Sequence, residues 1–384
     1  MATGMRTSLT DTVSSKRAVS DVVHMIDWKE APLLRLLGFG QENVRKFKLV
    51  NWPSTTVEWL EDALSPYTDV MNDSGGIDNS TTSMTVTNGA YFRQGDVILV
   101  ESEKMLVTSV SSNTLTVIRA WRTSGDADTA ASHADGLTIT ILTRAMPEGA
   151  NYTTGHSTVV TSKTNYTQIL SQAASVSKTE LAMTRYAVDD SLDYEVAKLF
   201  ADGGRAGLLA RALQRTFYYG EKVARTSVNY GTMGGFPDFV TTNVTALAGA
   251  ALQRSDIHTK IRAIRDAGGD VDTIVTGSWG IEKVTAMYEG YITMTTSEKR
   301  GGSAITKVLT PHGEVELVYD WMCPPGYMYF INSKKCGWVP MRPFSTTKIA
   351  EQGDFYVTDV VGEYSFVVAN EKSHGIISGF STTS

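Results

Sequence analysis

Hydrophobic and polar positions change period several times along the chain. Residues Met1 to Ser15 are small and polar and form an arm. Asp27, Glu30 and Ala31-Pro32, followed by Leu33, Leu34, Leu36 and Leu37, then predict a short helix with proline in its first turn and Gly38-Phe39-Gly40 as its stop. Two-residue alternation follows in Phe47-Lys48-Leu49-Val50 and Thr56-Val57-Glu58-Trp59, the signature of strands. Short strands are predicted at Ser83–Val86, Asp96–Val100, Lys104–Val110, Thr114–Ile118 and Thr138–Leu142, with Asn88-Gly89, Gln94-Gly95 and Ser112-Asn113 in the turns between them. Their spacing predicts a small sandwich or barrel of its own over residues 88–146. Its core would hold Val97, Leu99, Met105, Val107, Leu115, Val117, Ile139 and Ile141.

Extended structure resumes at Thr158–Val160 and Tyr166–Leu170. A long helix is then predicted from Asp189 to about Ala224, with Leu192, Val196, Leu199, Gly203, Ala206, Ala210, Leu213 and Phe217 on one face. Gly203, Gly204 and Gly207 cost about 1 kcal/mol each against alanine in a helix, so a bend, a break or a close backbone is expected there. Further on, Ser255–Ala267 is helical, capped by Ser255 or Asp256 and stopped by Gly268-Gly269. Thr273–Thr276 is a buried strand, and Trp279–Tyr288 is a helix capped by Ser278. Strands fill the rest: Ile305–Leu309, Glu314–Tyr319, Tyr327–Ile331, Gly337–Pro340, Phe355–Val361, Ser365–Ala369 and Gly375–Phe380. The fold class is α+β.

Composition narrows the function. Of 384 residues 42% are hydrophobic, which excludes disorder as the main state. The balance of 35 basic and 41 acidic residues, with no dense Lys/Arg run, argues against a protein that grips nucleic acid by its phosphates. Two cysteines, Cys323 and Cys336, are too few for a disulfide scaffold and are expected as reduced thiols. Apolar runs such as Val97–Val100 are far shorter than the ~18 residues of a membrane span, and no apolar export segment opens the chain.

Candidate chemistry fails on spacing. No glycine pair sits in a P-loop or G-x-G-x-x-G frame. Gly277-Ser278-Trp279-Gly280 misses the G-x-S-x-G frame of a nucleophile elbow. The six histidines (His24, His133, His156, His258, His312 and His374) include no i, i+4 pair, and neither cysteine stands at metal-site spacing from them. The acids at Asp126, Asp128 and Asp135 lack the closing glutamate of a calcium loop. Asp189, Asp190 and Asp193 complement a helix dipole. Catalytic, cofactor-binding and metal residues are therefore expected to be none, and the protein is expected not to be an enzyme.

The order of segments carries more. "VSDVVHMIDWKEAPLLRLLG" (from Val19), Val57–Asp62, "NYTQILSQAASVSKTELAM" (Asn165–Met183) and "GEVELVYDWMCPPGYMYFINSKKCGWVPMRPF" (Gly313–Phe344) follow one another in the order of a known family. Together they resemble the major capsid proteins of tailed bacteriophages, with the Hong Kong ninety-seven-like fold, in a branch that carries a β domain inside the extended loop.

The resemblance implies an organisation. Residues 1–45 would be the N-terminal arm and short helix, 46–87 the outgoing strand of the extended loop, 88–146 the inserted β domain and 147–178 the returning strand. Residues 179–240 would form the peripheral domain with its spine helix, 241–335 the axial domain, and 336–384 strands returning to the peripheral domain. It implies a structural protein self-assembling into hexameric and pentameric capsomers of an icosahedral head shell around phage DNA. The inserted domain would fold on its own at the outer side. Its partners would be further copies of itself, a portal, and scaffolding or decoration proteins. Double-stranded DNA would be met only by non-specific proximity, and no membrane is involved. Its place would be the virion, after assembly in the host cytoplasm. A tail-tube or other virion protein, or a carbohydrate-binding β module on an α/β scaffold, is the alternative.

Overall fold

The computed structural model describes residues 31–37, 54–62, 65–121, 129–146, 148–149, 159–183, 190–199, 207–288, 307–350 and 353–383. The chain divides into two compact units, 1–59 with 163–384, and 60–162. It opens with helix α1 (Pro32–Leu36) and strand β1 (Thr56–Glu61). The predicted strand at Phe47–Val50 lies outside the described residues.

The smaller unit holds β2 (Thr68–Val70), β3 (Ser83–Thr85), β4 (Asp96–Val100), β5 (Glu103–Ser111), β6 (Thr114–Ile118) and β7 (Thr138–Arg144). They form one antiparallel sheet in the order β2-β7-β4-β5-β6-β3. A bridge between Met71 and Val86 joins its two edge strands, so the sheet closes on itself. Closure leaves no open edge for unwanted pairing. The boundary expected at residue 88 is therefore too late, because β2 and β3 complete this sheet.

The expected core of this unit needs one correction. On β4 the inward residues are Ile98 and Val100, not Val97 and Leu99. Four consecutive apolar residues hide the parity of a strand, and a one-residue slip exchanges its faces. The remaining predicted positions, Met105, Val107, Leu115, Val117, Ile139 and Ile141, do form the core.

The larger unit resumes with β8 (Thr161–Tyr166), which pairs with β1, and β9 (Gln168–Ser177). Helices α2 (Lys178–Ala182), α3 (Ser191–Leu199), α4 (Leu208–Tyr219) and α5 (Phe236–Phe239) follow. The single helix expected from Asp189 to Ala224 is thus two. Gly207 takes extended backbone (φ −67°, ψ 174°) immediately before α4, and Gly220 (ψ 136°) ends it. Gly203 and Gly204 lie outside the described residues. The predicted stripe survives the break, since Leu192, Leu199, Ala210, Leu213 and Phe217 are all buried.

Gly220 is fixed by its surroundings. A Cβ there would come within 2.5 Å of the Thr216 carbonyl oxygen and 2.7 Å of that of Met233. Its φ of −66° suits any residue, so only space forbids a side chain. Gly220→Ala should cost about 1–3 kcal/mol, the usual range for overpacking, read as a lower urea midpoint at unchanged slope.

Next come β10 (Val244–Ala246), α6 (Arg254–Asp266), β11 (Thr273–Thr276), α7 (Ser278–Tyr288), β12 (Lys307–Thr310), β13 (Gly313–Tyr319) and β14 (Tyr327–Ile331). The last strands are β15 (Cys336–Lys348), β16 (Phe355–Val368) and β17 (Gly375–Ser378). Helix α6 is capped two to three residues earlier than expected, by Gln253. Gln253 accepts from the N3 backbone while Asp256 Oδ2 accepts from Gln253 N at 2.9 Å, a reciprocal capping box. Ser278 is the first residue of α7 rather than its cap.

A mixed sheet, β10-β17-β14-β11-β13-β12, forms the centre. Its strand β14 is apolar throughout because both faces are covered. Met328 and Phe330 pack with Ile257, Ile261 and Ile264 of α6 and Val284 of α7. Tyr329 and Ile331 pack with Leu33, Leu213, Phe217 and Phe236. The third sheet is β15-β16-β9. The expectation that residues 336–384 return together therefore fails for Gly375–Ser378. β17 joins the central sheet between β10 and β14, while β16 pairs with β15 on one side and β9 on the other.

Candidate assembly surfaces

Three buried carboxylates and one half-buried one hold loops in place. In the smaller unit, Glu103 accepts from Arg119 Nε and Nη2 at 2.8 Å each, Ala131 N at 2.9 Å and Ala120 N at 3.1 Å. His133 places one ring nitrogen 2.9 Å from Glu103 and the other 2.9 Å from Glu101. Burial alone would raise the Glu103 carboxyl, but the bonds from Arg119, Ala131, His133 and Ala120 outweigh it and hold it at about 2. The Arg119 guanidinium also donates to the Asp78 and Thr81 carbonyls. One ion cluster thus ties together segments from Asp78 to His133.

In the larger unit, Glu363 on β16 accepts from Thr167, Arg225 and Arg342. Burial opposes ionisation there, yet these donors keep the carboxyl below its ordinary value. Glu371 accepts from the backbone and hydroxyls of both Thr241 and Thr242, and lies at about 2. Asp320 is the opposite case. It accepts from Gln214 Nε2, Tyr218 Oη and Met322 N without a cation among them, and burial raises its carboxyl.

Among the described residues, no catalytic arrangement is assembled around those singled out in the sequence. The hollow beside Ser278 is lined by Trp279, Tyr319, Trp321, Cys323, Pro324 and Phe380, among others, and by no histidine or carboxylate that could act as its base. Cys323 has its thiol pushed up by burial and then by the charge of Asp320, the reverse of what a nucleophile requires. Cys336 is buried, with Sγ 3.5 Å from the Asn332 carbonyl oxygen. Asp190, expected only to complement the helix dipole, accepts from Leu192 N and Asp193 N and so caps α3. Asp126, Asp128 and Asp189 lie outside the described residues. Among the described residues no three His, Cys, Asp or Glu side chains are grouped as metal ligands, and no helix is long and apolar enough to cross a membrane.

Some apolar side chains of the described surface are left uncovered. On β1 the alternation buries Val57 and Trp59 and turns Leu60 outward at 74% exposure. Along the returning passage, Val159 is 84% and Val160 50% exposed. Tyr230 is 92% exposed on the loop after α4. Sequence reasoning did not single out Val159, Val160 or Tyr230 as exposed. The two adjacent valines read only as extended structure, and nothing in composition distinguishes a side chain waiting for a partner from one in a core.

Exposed apolar side chains on β1 and just before β8 suit a surface that another subunit covers. The sequence matches the model of the SU10 major capsid protein over residues 2–381, and the chain belongs to that family. No curated protein sequence matches it. Among solved structures it is similar to a chain of the cyanophage A-1(L) capsid asymmetric unit (TM-score 0.55, 12% identity, 98% of this chain and 99% of that one). It is also similar to the capsid of a native GTA particle (TM-score 0.52, 10% identity, 98% and 100%) and to a chain of Mycobacterium phage Adephagia (TM-score 0.50, 10%, 99% and 99%). At these identities the likeness is one of fold, the Hong Kong ninety-seven-like fold. The protein is a structural component of the phage head shell, located in the virion capsid, and associates with copies of itself; it is not an enzyme.

Proposed function

We propose that the chain assembles into hexameric and pentameric capsomers that close into an icosahedral shell around phage DNA. The β1–β8 ribbon carries this reading. Val57 and Trp59 of β1 pack with Val339 and Val367, but Leu60 on β1, and Val159 and Val160 just before β8, are left without cover. Such exposure is explained when another subunit covers it. In this reading 179–240 serves as peripheral domain and 241–335 as axial domain, each joined by part of the C-terminal strands. Portal, scaffolding and decoration proteins would meet the shell formed in the host cytoplasm, and DNA would touch it without specific contacts.

Purified protein, followed by light scattering and negative-stain microscopy, should form capsomers and hollow particles of megadalton mass. Tubes would favour a tail protein. A monomer persisting across salt and crowding conditions would sink the proposal.

A further inference from the structure

The loop after α4 is built more firmly than a connection needs. At its base Val223 and Thr232 exchange backbone hydrogen bonds at 3.2 and 3.1 Å, and Gly235 N donates to the Gly220 carbonyl at 3.0 Å. At its tip Thr226 N donates to the Asn229 carbonyl, while the Thr226 hydroxyl accepts from Val228 N and Asn229 N at 3.2 and 2.9 Å. Along its sides Arg225 pairs with Glu363 at 3.0 Å, Lys222 Nζ donates to Thr164 of β8 at 2.9 Å, and Lys222 N donates to Asp238. Held by these bonds, the tip displays Val228 at 85% and Tyr230 at 92% exposure.

A turn needs no large apolar side chain at its tip, and turn chemistry favours small polar residues. Two such side chains on a stiff base are instead a preorganised anchor, since little conformational freedom remains to be lost on docking. The charge pattern narrows what they meet. From Thr226 to Tyr230 the tip carries no charge, and the adjacent Arg225 is committed to Glu363. A DNA-facing loop would need free cations for phosphates. Lys222 also holds the loop against β8, so the tip is continuous with the ribbon that assembly covers.

We infer that Val228 and Tyr230 are an anchor by which each subunit docks onto a second copy of this chain. The inference rests on the shell reading above and assigns to it a contact that lies outside the ribbon itself.

The test compares wild type with Val228→Ser/Tyr230→Ser under the same assembly conditions. A second variant carries the photo-cross-linker benzoylphenylalanine at position 230. The double variant should assemble at least about tenfold less, the effect of a modest anchor in each interface. Its subunit melting temperature should stay within about 2 °C of wild type, because both side chains are solvent-exposed. Irradiated particles should yield a band of twice the chain mass. Particle yield equal to wild type, or a cross-link only to DNA or to a different protein, would overturn the anchor while leaving the shell reading intact. Wild-type protein that never assembles would overturn both.

Discussion

Glu103→Ala should unfold the smaller unit far below its normal melting temperature and leave the larger unit's transition in place. The Glu103 side chain is 1% exposed, and its partners Arg119 and His133 are 7% and 1% exposed. Alanine removes one member of a buried ion cluster and leaves the guanidinium with carbonyl partners alone, a class of change that costs about 3–5 kcal/mol. A domain of this size holds only about 5–15 kcal/mol in total. At several degrees per kcal/mol for roughly 100 residues, its midpoint should fall by more than about 10 °C. Calorimetry of the whole chain reads both transitions at once. Glu103→Gln, which keeps an acceptor oxygen, should fall between. A single transition shifted as one would show that the two units do not melt separately.

Much of this architecture is legible in the chain because local and tertiary signals agree. Thr114–Ile118 stands where two-residue alternation places it, and Thr273–Thr276 and Tyr327–Ile331 where short apolar runs between turn residues do. What escaped was set by contacts far apart in sequence. Met71 meeting Val86 closes the smaller sheet, yet neither residue differs from an ordinary strand position. β16 runs unbroken through Gly362 because it lies between β15 and β9, and the Phe344 ring occupies the space that a side chain at 362 would need. β15 continues through Pro340 and Pro343 because it is an edge strand with register shifts at those points, where a missing N–H is tolerated. The ion cluster around Glu103 was hidden for a similar reason. Its members are separated by up to 32 residues and become a unit only when the barrel closes.

Acidification should reveal a second weak point, in the larger unit. His374 is fully buried between the short helical turn at Glu371–Ser373 and β17, with its ring edge-on to Phe236. Its Nδ1 accepts from Asn332 N at 3.3 Å, a bond that requires an unprotonated nitrogen. Burial, joined by the nearby Lys335 charge, outweighs the opposing pull of the Ala369 carbonyl and Asp272 and lowers its pKa from 6.5 to about 4. Between those values the unfolded chain binds a proton that the folded chain refuses. Stability from this residue is therefore complete above pH 6.5 and drains as pH falls toward 4. The lowering corresponds to roughly 3 kcal/mol at 1.36 kcal/mol per pH unit. Urea midpoints at pH 7, 5.5 and 4.5 should fall in that order. His374→Gln lacks the titrating ring while offering an acceptor to Asn332, so it should start lower at pH 7 from lost packing yet decline much less. Some slope remains from His258, lowered by burial and by Arg254 and His312 and acting with the same sign. The carboxylates Glu103 and Glu371, held at about 2, add their losses only below about pH 4.5 and so fall outside this window. If His374→Gln and wild type decline in parallel from pH 7 to 4.5, the buried imidazole is not the acid-sensitive element of this unit.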